Sequence, residues 1–399
     1  MPDPALDLDR IRAAFPALAS GFTFLDNAGG SQTLALVADR VREYLCSTSV
    51  QLGASYAVSE LAGERVHGAV AATAAYLGGR EHDEAVFGSS TTQLLANLAL
   101  AIEPTLSPGD EIVISEADHH ANVGPWQRLA ARRGLVVRRW PLDRQTWRLE
   151  CAGLEPLLSP RTRLVAFAHV SNVLGSIHDV AAITQLVHAH GARVCVDGVA
   201  YAPHRAIDVT AWDVDFYVFS FYKVYGPHAA VLFGKRALLD GLAGINHEFI
   251  TSIPYKLQPG NLNFELAYGT LGIHDYLATL GGPRAAFDAI AAHEEQLADR
   301  LLAYLRSRAH VRIYGDSSAD RARRVPTISF TVDGRTPESI VREVDRHAVG
   351  IRHGDFYSKG VVAALGLADR GGVVRVSAVH YNTVAEIDRT IEALAAAGV

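Results

Sequence analysis

At 399 residues the chain is long enough for one large domain and a smaller one, and with 49% hydrophobic and 20% charged residues it reads as an ordinary globular protein. A formal net charge of −6, with the arginine pairs Arg132–Arg133, Arg138–Arg139 and Arg323–Arg324 scattered and short, argues against nucleic acid as a partner. The three cysteines, Cys46, Cys151 and Cys195, are spaced too irregularly for a disulfide framework or a metal site, and no apolar run approaches a membrane span.

Residues 1–20 predict a short amphipathic helix ending near Pro16. Acids stand there where a secretory leader would carry a basic region, so a cytoplasmic protein is expected. Helical spacing follows over Gln32–Cys46, Glu60–Leu77 and 91–102. The rhythm then changes to short apolar runs alternating with helical stretches: Glu111–Ser115, Leu164–Val170, Arg193–Asp197, Asp215–Ser220 and Ala229–Phe233. Between the second and third lies the helix Val180–His190, closed by Gly191. This alternation predicts a mostly parallel, doubly wound α/β sheet. After about residue 280 a long helix, Arg284–Arg308, leads to strands at Thr327–Val332 and Val373–Ser377, with a helical pattern at Pro337–His347 between them and Val384–Ala396 last. The expected organisation is a large domain over 21–280 and a small C-terminal α/β domain over 281–399, against which residues 1–20 pack.

Polar residues fall where such a sheet binds ligands, outside the carboxyl ends of its strands. His119 and His120, Asn172, Asp197, and Ser220 with Lys223 each follow a predicted strand. Singly, each has an ordinary reading: Asp197 as a helix cap or turn residue, Lys223 as a surface lysine, His119 as a satisfied loop histidine, Asn172 as a turn residue. Together they would form one polar pocket.

In order along the chain, the segments FLDNAGG (24–30), FGSSTTQLLANLAL (87–100), EADHHANVGPWQ (116–127), AHVSNVLGSIHDV (168–180), VDGVAYAPH (196–204), DFYVFSFYKVYGPHAAVLFGK (215–235) and VVRVSAVHYNTVAEID (373–388) resemble the cysteine desulfurase and selenocysteine lyase branch of the class V aminotransferases. The resemblance implies a fold-type I α/β enzyme with a seven-stranded, mostly parallel sheet, pyridoxal 5'-phosphate (PLP) as cofactor and a small amino acid as substrate. It also implies a homodimer with composite active sites. On matching positions it makes Lys223 the Schiff-base lysine and Asp197 the partner of the pyridine nitrogen, where a carboxylate keeps the ring electron-accepting. His119 would stack on the ring and Asn172 lie near its hydroxyl. Thr91, Thr92, Ser220 and Tyr222 would hold the phosphate at a helix start. Arg375 would grip the substrate carboxylate with its planar fork, and Asn27, Arg352 and Tyr357 would also meet substrate. The segment NFELAYGT (263–270) matches a loop that reaches the neighbouring subunit's phosphate, which implies Tyr268 or Thr270 as that contact.

Three positions depart from the family pattern. A glutamine expected three residues after the aspartate is Ala200, leaving His204 and Tyr201 as nearby candidates to replace it. The histidine expected before the lysine is Tyr222. The mobile cysteine that takes sulfur as a persulfide, five residues after an arginine, falls on Tyr357 when counted from Arg352. A phenol cannot attack sulfur as a thiolate does. The leading expectation is therefore a lyase that removes the α-proton of a small amino acid and eliminates a β- or γ-substituent, with cysteine conjugates first among substrates. An aminotransferase needs the same Lys223 and Arg375 and is the second reading. An inactive scaffold is the third, and the joint presence of Lys223, Asp197, His119, Asn172 and Arg375 argues against it.

Overall fold

The computed structural model describes residues 6–399, the side chain of Asp83 excepted. Seven strands form the main sheet: β1 (Ala85–Gly88), β2 (Glu111–Ser115), β3 (Val136–Trp140), β4 (Thr162–Ala168), β5 (Arg193–Asp197), β6 (Phe216–Ser220) and β7 (Ala230–Gly234). Their order is β1-β7-β6-β5-β4-β2-β3, and every neighbouring pair is parallel except those made by β7. β2, β6 and β7 are buried along their whole length, as strands covered on both faces must be. Alternate residues feed two cores. In β4, Leu164 and Ala166 face one with Leu94, Ile112 and Trp126, while Val165 and Phe167 face the other with Val113, Val196 and Phe219. Each large side chain buried this way contributes about 1.5–3 kcal/mol.

One edge strand carries charge in place of a continuous apolar run. β3 reads VVRRW and is buried only at Trp140, and its arginines blunt a free sheet edge. Segment 263–270, expected as a loop, is instead the start of the helix Phe264–Thr279, whose N-cap Asn263 accepts the Leu266 N–H at 3.1 Å. This helix presses so closely on the helix Ala35–Ser47 that a Cβ on Gly272 would sit 2.7 Å from the Val37 nitrogen.

A second, antiparallel sheet runs β10-β11-β9-β8, formed by β8 (Val311–Tyr314), β9 (Thr327–Val332), β10 (Arg352–Gly354) and β11 (Val373–Ser377). Its core holds Leu297, Leu301, Ile328, Phe330, Val374 and Leu394. The helix Pro283–Arg306 serves both cores, placing Phe287 and Ile290 in the first and Leu297 and Leu301 in this one. Near the start, a helix at Leu8–Ala13 and a 3-10 turn at Pro16–Ser20 set Phe15 against Tyr225, Tyr276 and Tyr381. Residues 1–5 of the expected N-terminal segment lie outside the described residues. Thr23–Phe24 pairs in parallel with Val349–Gly350, and Asp26 bridges to Ser377 at the end of β11, which brings FLDNAGG beside Arg375. Among the described residues no helix is long and apolar enough to cross a membrane.

Candidate active site

The carboxyl ends of β5 and β6 and the loops after β2 and β4 meet at a slot of about 80 Å³. Asp197, the last residue of β5, is buried there, and one of its oxygens accepts the Val199 N–H at 2.9 Å while the other takes no hydrogen bond from the described residues. Burial raises its pKa, against the opposing pull of the Val199 amide and Lys223. Lys223 lies in the 3-10 turn directly after β6 and is buried, with no hydrogen-bond or ion-pair partner for its amine among the described residues. Desolvation first, then repulsion from Arg375, brings its pKa down to about 8, with Asp197 and Asp26 opposing. A desolvated lysine of this kind is a competent nucleophile and base near neutral pH.

His119 closes one side of the slot. Its Nδ1 accepts the Ala121 N–H at 3.1 Å, which assigns the proton of the neutral ring to Nε2. Burial, and then the charges of Lys223, His120 and Arg375, hold its pKa at about 4, so the imidazole is neutral at pH 7. The loop beneath it is fixed by buried Asp118, which takes the Ser115 hydroxyl and, at 2.8 Å, the Asn122 amide; Asn122 in turn accepts the Trp126 indole N–H at 3.0 Å. At the other end of the slot begins the helix Thr91–Ile102, where the Ser90 hydroxyl caps the Gln93 N–H at 3.2 Å and Thr91 and Ser220 share a 2.7 Å hydroxyl contact. The first-turn amides there have no carbonyl to bond within the helix.

The slot opens into a chamber of about 440 Å³ whose lining includes His120, Arg128, Arg352, Phe356, Tyr357 and Arg375. Arg375 is buried in β11: one nitrogen donates to Asp26 at 2.7 Å and another to the Asn172 carbonyl at 3.1 Å, while its Nε has no partner among the described residues. The Phe356 ring lies 3.7 Å from the guanidinium carbon, and Arg352 approaches the second Asp26 oxygen at 3.7 Å. Phe356 and Tyr357 have φ of 52° and 58°. That left-handed backbone costs a bulky residue about 1–3 kcal/mol, so the surrounding bonds must hold it. Asn172 supplies two of them, accepting the Ser358 hydroxyl at 2.7 Å and donating to the Phe356 carbonyl at 3.1 Å. The Tyr357 carbonyl accepts the His120 N–H at 2.8 Å, and the Tyr357 ring, 69% exposed, sits 5.5 Å from that of His119.

The structure thus gathers Lys223, Asp197, His119, Thr91, Thr92, Asn172, Ser220, Tyr222, Arg352, Tyr357 and Arg375 around these two cavities. Three expected residues are placed elsewhere. The Asn27 amide is spent on the Phe24 and Ser377 carbonyls, each at 2.9 Å, and on Asn382, and its oxygen takes the Tyr381 hydroxyl; Ala28 and Gly29 line the chamber instead. Thr270 is fully buried and donates to the Ala267 carbonyl at 2.6 Å, because its segment is helical and turned into the protein. Tyr268 bonds Glu43 at 3.1 Å beneath the Arg65 guanidinium. Neither candidate for the missing glutamine reaches the slot: His204 pairs with Glu294 at 2.8 Å and Tyr201 stacks on His169 at 3.5 Å, so Ala200 faces the slot without a polar replacement. Sequence reasoning overlooked Asp26, Phe356 and Arg128; only Asp26, an acid inside a short apolar segment beside two glycines, left a usable signal.

The class V aminotransferase family model matches residues 23–390. An aminotransferase-like protein of Gibberella zeae, FGM3, is 45% identical over 99% of this chain and 99% of its own. A cysteine desulfurase of Dickeya dadantii is 33% identical over 97% of this chain and 96% of its own. The crystal structure of the cysteine desulfurase CsdA from Escherichia coli shares the fold with a TM-score of 0.87 at 27% identity, covering 99% of both chains. Members of the family use PLP. The residues present fit that group: a buried, unpartnered amine and a buried carboxylate with a spare oxygen share one slot with a helix start. The chain belongs to the class V aminotransferase family.

Proposed function

We propose that the protein is a PLP-dependent lyase that removes the α-proton of an amino acid and eliminates a β- or γ-substituent without a persulfide. The observation that carries this reading is the unpartnered, desolvated Lys223 amine opening onto a chamber that holds a buried arginine clamp and no cysteine in its lining. Cys195 lies inside β5 with its thiol pushed up by burial, Cys46 is exposed on the helix Ala35–Ser47, and Cys151 is partly buried with its thiol also raised.

When bound, PLP supplies an electron sink for charge that develops on the substrate α-carbon. Asp197 would keep the pyridine nitrogen protonated through its spare oxygen. His119, neutral at pH 7, would lie against the ring without adding charge. The helix start at Thr91 and Thr92, with Ser220 and Tyr222, would hold the phosphate, and Asn172 would stand by the ring hydroxyl. Arg375, which lines the chamber, would receive the substrate carboxylate there. Lys223, with its amine deprotonated, would take the proton from the substrate α-carbon onto its Nζ. Tyr357, standing where the family's thiolate would, leaves the sulfur or other group to depart free.

Residues 21–280 would carry the cofactor and 281–399 the carboxylate clamp, with residues 6–20 packed against both through Phe15 on Tyr225, Tyr276 and Tyr381. The exposed apolar side chains Leu36, Leu45, Tyr56, Val58 and Leu61, on or beside the helices Ala35–Ser47 and Ala57–Tyr76, support a homodimer. Light scattering of PLP-loaded protein should give twice the chain mass; a monomer with full cofactor would overturn that part.

The test of function is a spectral screen of amino acids against the purified holoenzyme, followed by product analysis. Elimination gives a keto acid and ammonia with no amino acceptor present. A keto acid formed only when an acceptor is supplied would make the protein an aminotransferase.

A further inference from the structure

We propose that Arg128 and His120 form a second anion-binding subsite in the outer chamber, distinct from Arg375, which fits the enzyme to amino acids bearing a distal acidic group such as a second carboxylate. The inference rests on the reading that an amino acid binds by its α-carboxylate at Arg375.

The charges around the chamber are unbalanced. Arg375 and Arg352 share a single carboxylate, Asp26, at 2.7 and 3.7 Å. Arg128 has no ion pair or hydrogen bond among the described residues, although it lines the same chamber. Arg132, one turn further along the helix Gly124–Arg133, shows what an ordinary surface arginine does here: it grips Glu103 with two nitrogens, at 3.1 and 2.6 Å. Asp355, near enough to oppose the depression of His119, spends one oxygen on the Tyr357 N–H at 2.9 Å and does not line the chamber.

Gly124 makes the convergence possible. A Cβ there would sit 3.0 Å from the Arg128 Nη1 and 3.4 Å from the His120 Nε2, so both nitrogens reach over the same bare spot at the start of a helix. The helix dipole adds positive potential at that end. A planar guanidinium with no internal partner favours a carboxylate approaching edge-on. The chamber of about 440 Å³ is in the range that takes ligands much larger than a three-carbon amino acid, which leaves room for a side chain that reaches from Lys223 to Arg128.

The experiment is calorimetric titration of the PLP-loaded enzyme with glutarate and with pentanoate, which share a five-carbon chain and differ by one carboxylate. Glutarate should bind about tenfold more tightly, the size of one charge-assisted hydrogen-bonded contact at a partly exposed site. Arg128→Gln should erase that margin and leave pentanoate binding unchanged, while Arg128→Lys should retain part of it. Equal affinities in the wild type would overturn the proposal. So would an intact margin in Arg128→Gln, or an equal loss for both acids. Product analysis with amino acids judges the elimination reading separately, so either conclusion can fail while the other stands.

Discussion

The slot and the chamber share a wall of His119, Asn172, Tyr222 and Lys223, yet they are built in opposite ways. In the slot, side chains stand on strand ends and a helix start, buried and fixed by short main-chain bonds such as Asp197 to Val199 at 2.9 Å. In the chamber, Arg128, Arg352 and Tyr357 are exposed, and Phe356 and Tyr357 adopt a left-handed backbone held by Asn172 and His120. Chemistry common to a family belongs on the rigid part, and substrate choice on the adjustable part. The two regions should therefore respond differently to substitution.

The largest effect is expected at Lys223. Lys223→Ala should lower turnover about 10⁴-fold, as removal of a general base does, and abolish the covalent link to cofactor that borohydride traps. A link trapped at another lysine would move the centre of the slot elsewhere. Asp197→Asn comes next, with a loss of about a thousandfold in kcat and part of the cofactor retained, because a neutral amide no longer holds the ring nitrogen protonated. Near-normal turnover in that variant would erase the role given to the buried carboxylate.

How far these regions were legible in the sequence follows the same division. Asp197 and Lys223 could be read because each stands where a buried apolar run stops, at Val194–Val196 and Phe216–Phe219. Thr270 was expected at the neighbouring subunit's phosphate because its segment matches a family loop, whereas here the glycines of FELAYGTLG let the helix Phe264–Thr279 pack tightly on its neighbour. Asn27 looked like a ligand residue, but its amide joins the turn after Thr23–Phe24 to the end of β11 through contacts far apart in sequence. Nothing local in DFYS announces positive φ at Phe356 and Tyr357, since that strain is imposed by tertiary bonds from Asn172 and His120.

In the chamber the effects should fall on binding. Arg375→Gln should raise KM by about 10–100-fold, the range for losing charge-assisted bonds, with a smaller change in kcat. If kcat fell and KM stayed fixed, the substrate carboxylate would lie elsewhere. The pH dependence of cofactor loading offers a finer distinction. A lysine amine attacks only when deprotonated, and the Lys223 pKa is lowered to about 8, so loading of the apoenzyme should rise with pH and level off above about 8. An unperturbed lysine would keep the rate rising to about 10.4. Asp197 raises the Lys223 pKa, so Asp197→Asn should move the midpoint lower; a higher midpoint would contradict the electrostatics of the slot. Phe356→Ala removes the stacking on Arg375 together with the ring's packing against the core, and should raise KM a few-fold, within the roughly thirtyfold that a desolvated cation–π contact can supply.

The smallest effect is expected where the central claim is most exposed. Cys46, Cys151 and Cys195 together changed to Ser should leave a PLP-loaded enzyme that turns over the best substrate from the screen at the wild-type rate, releasing keto acid, ammonia and the free leaving group. A variant that folds with bound PLP but loses turnover would show that a thiol takes part in the chemistry, and the elimination mechanism built on Lys223 without a persulfide would be wrong.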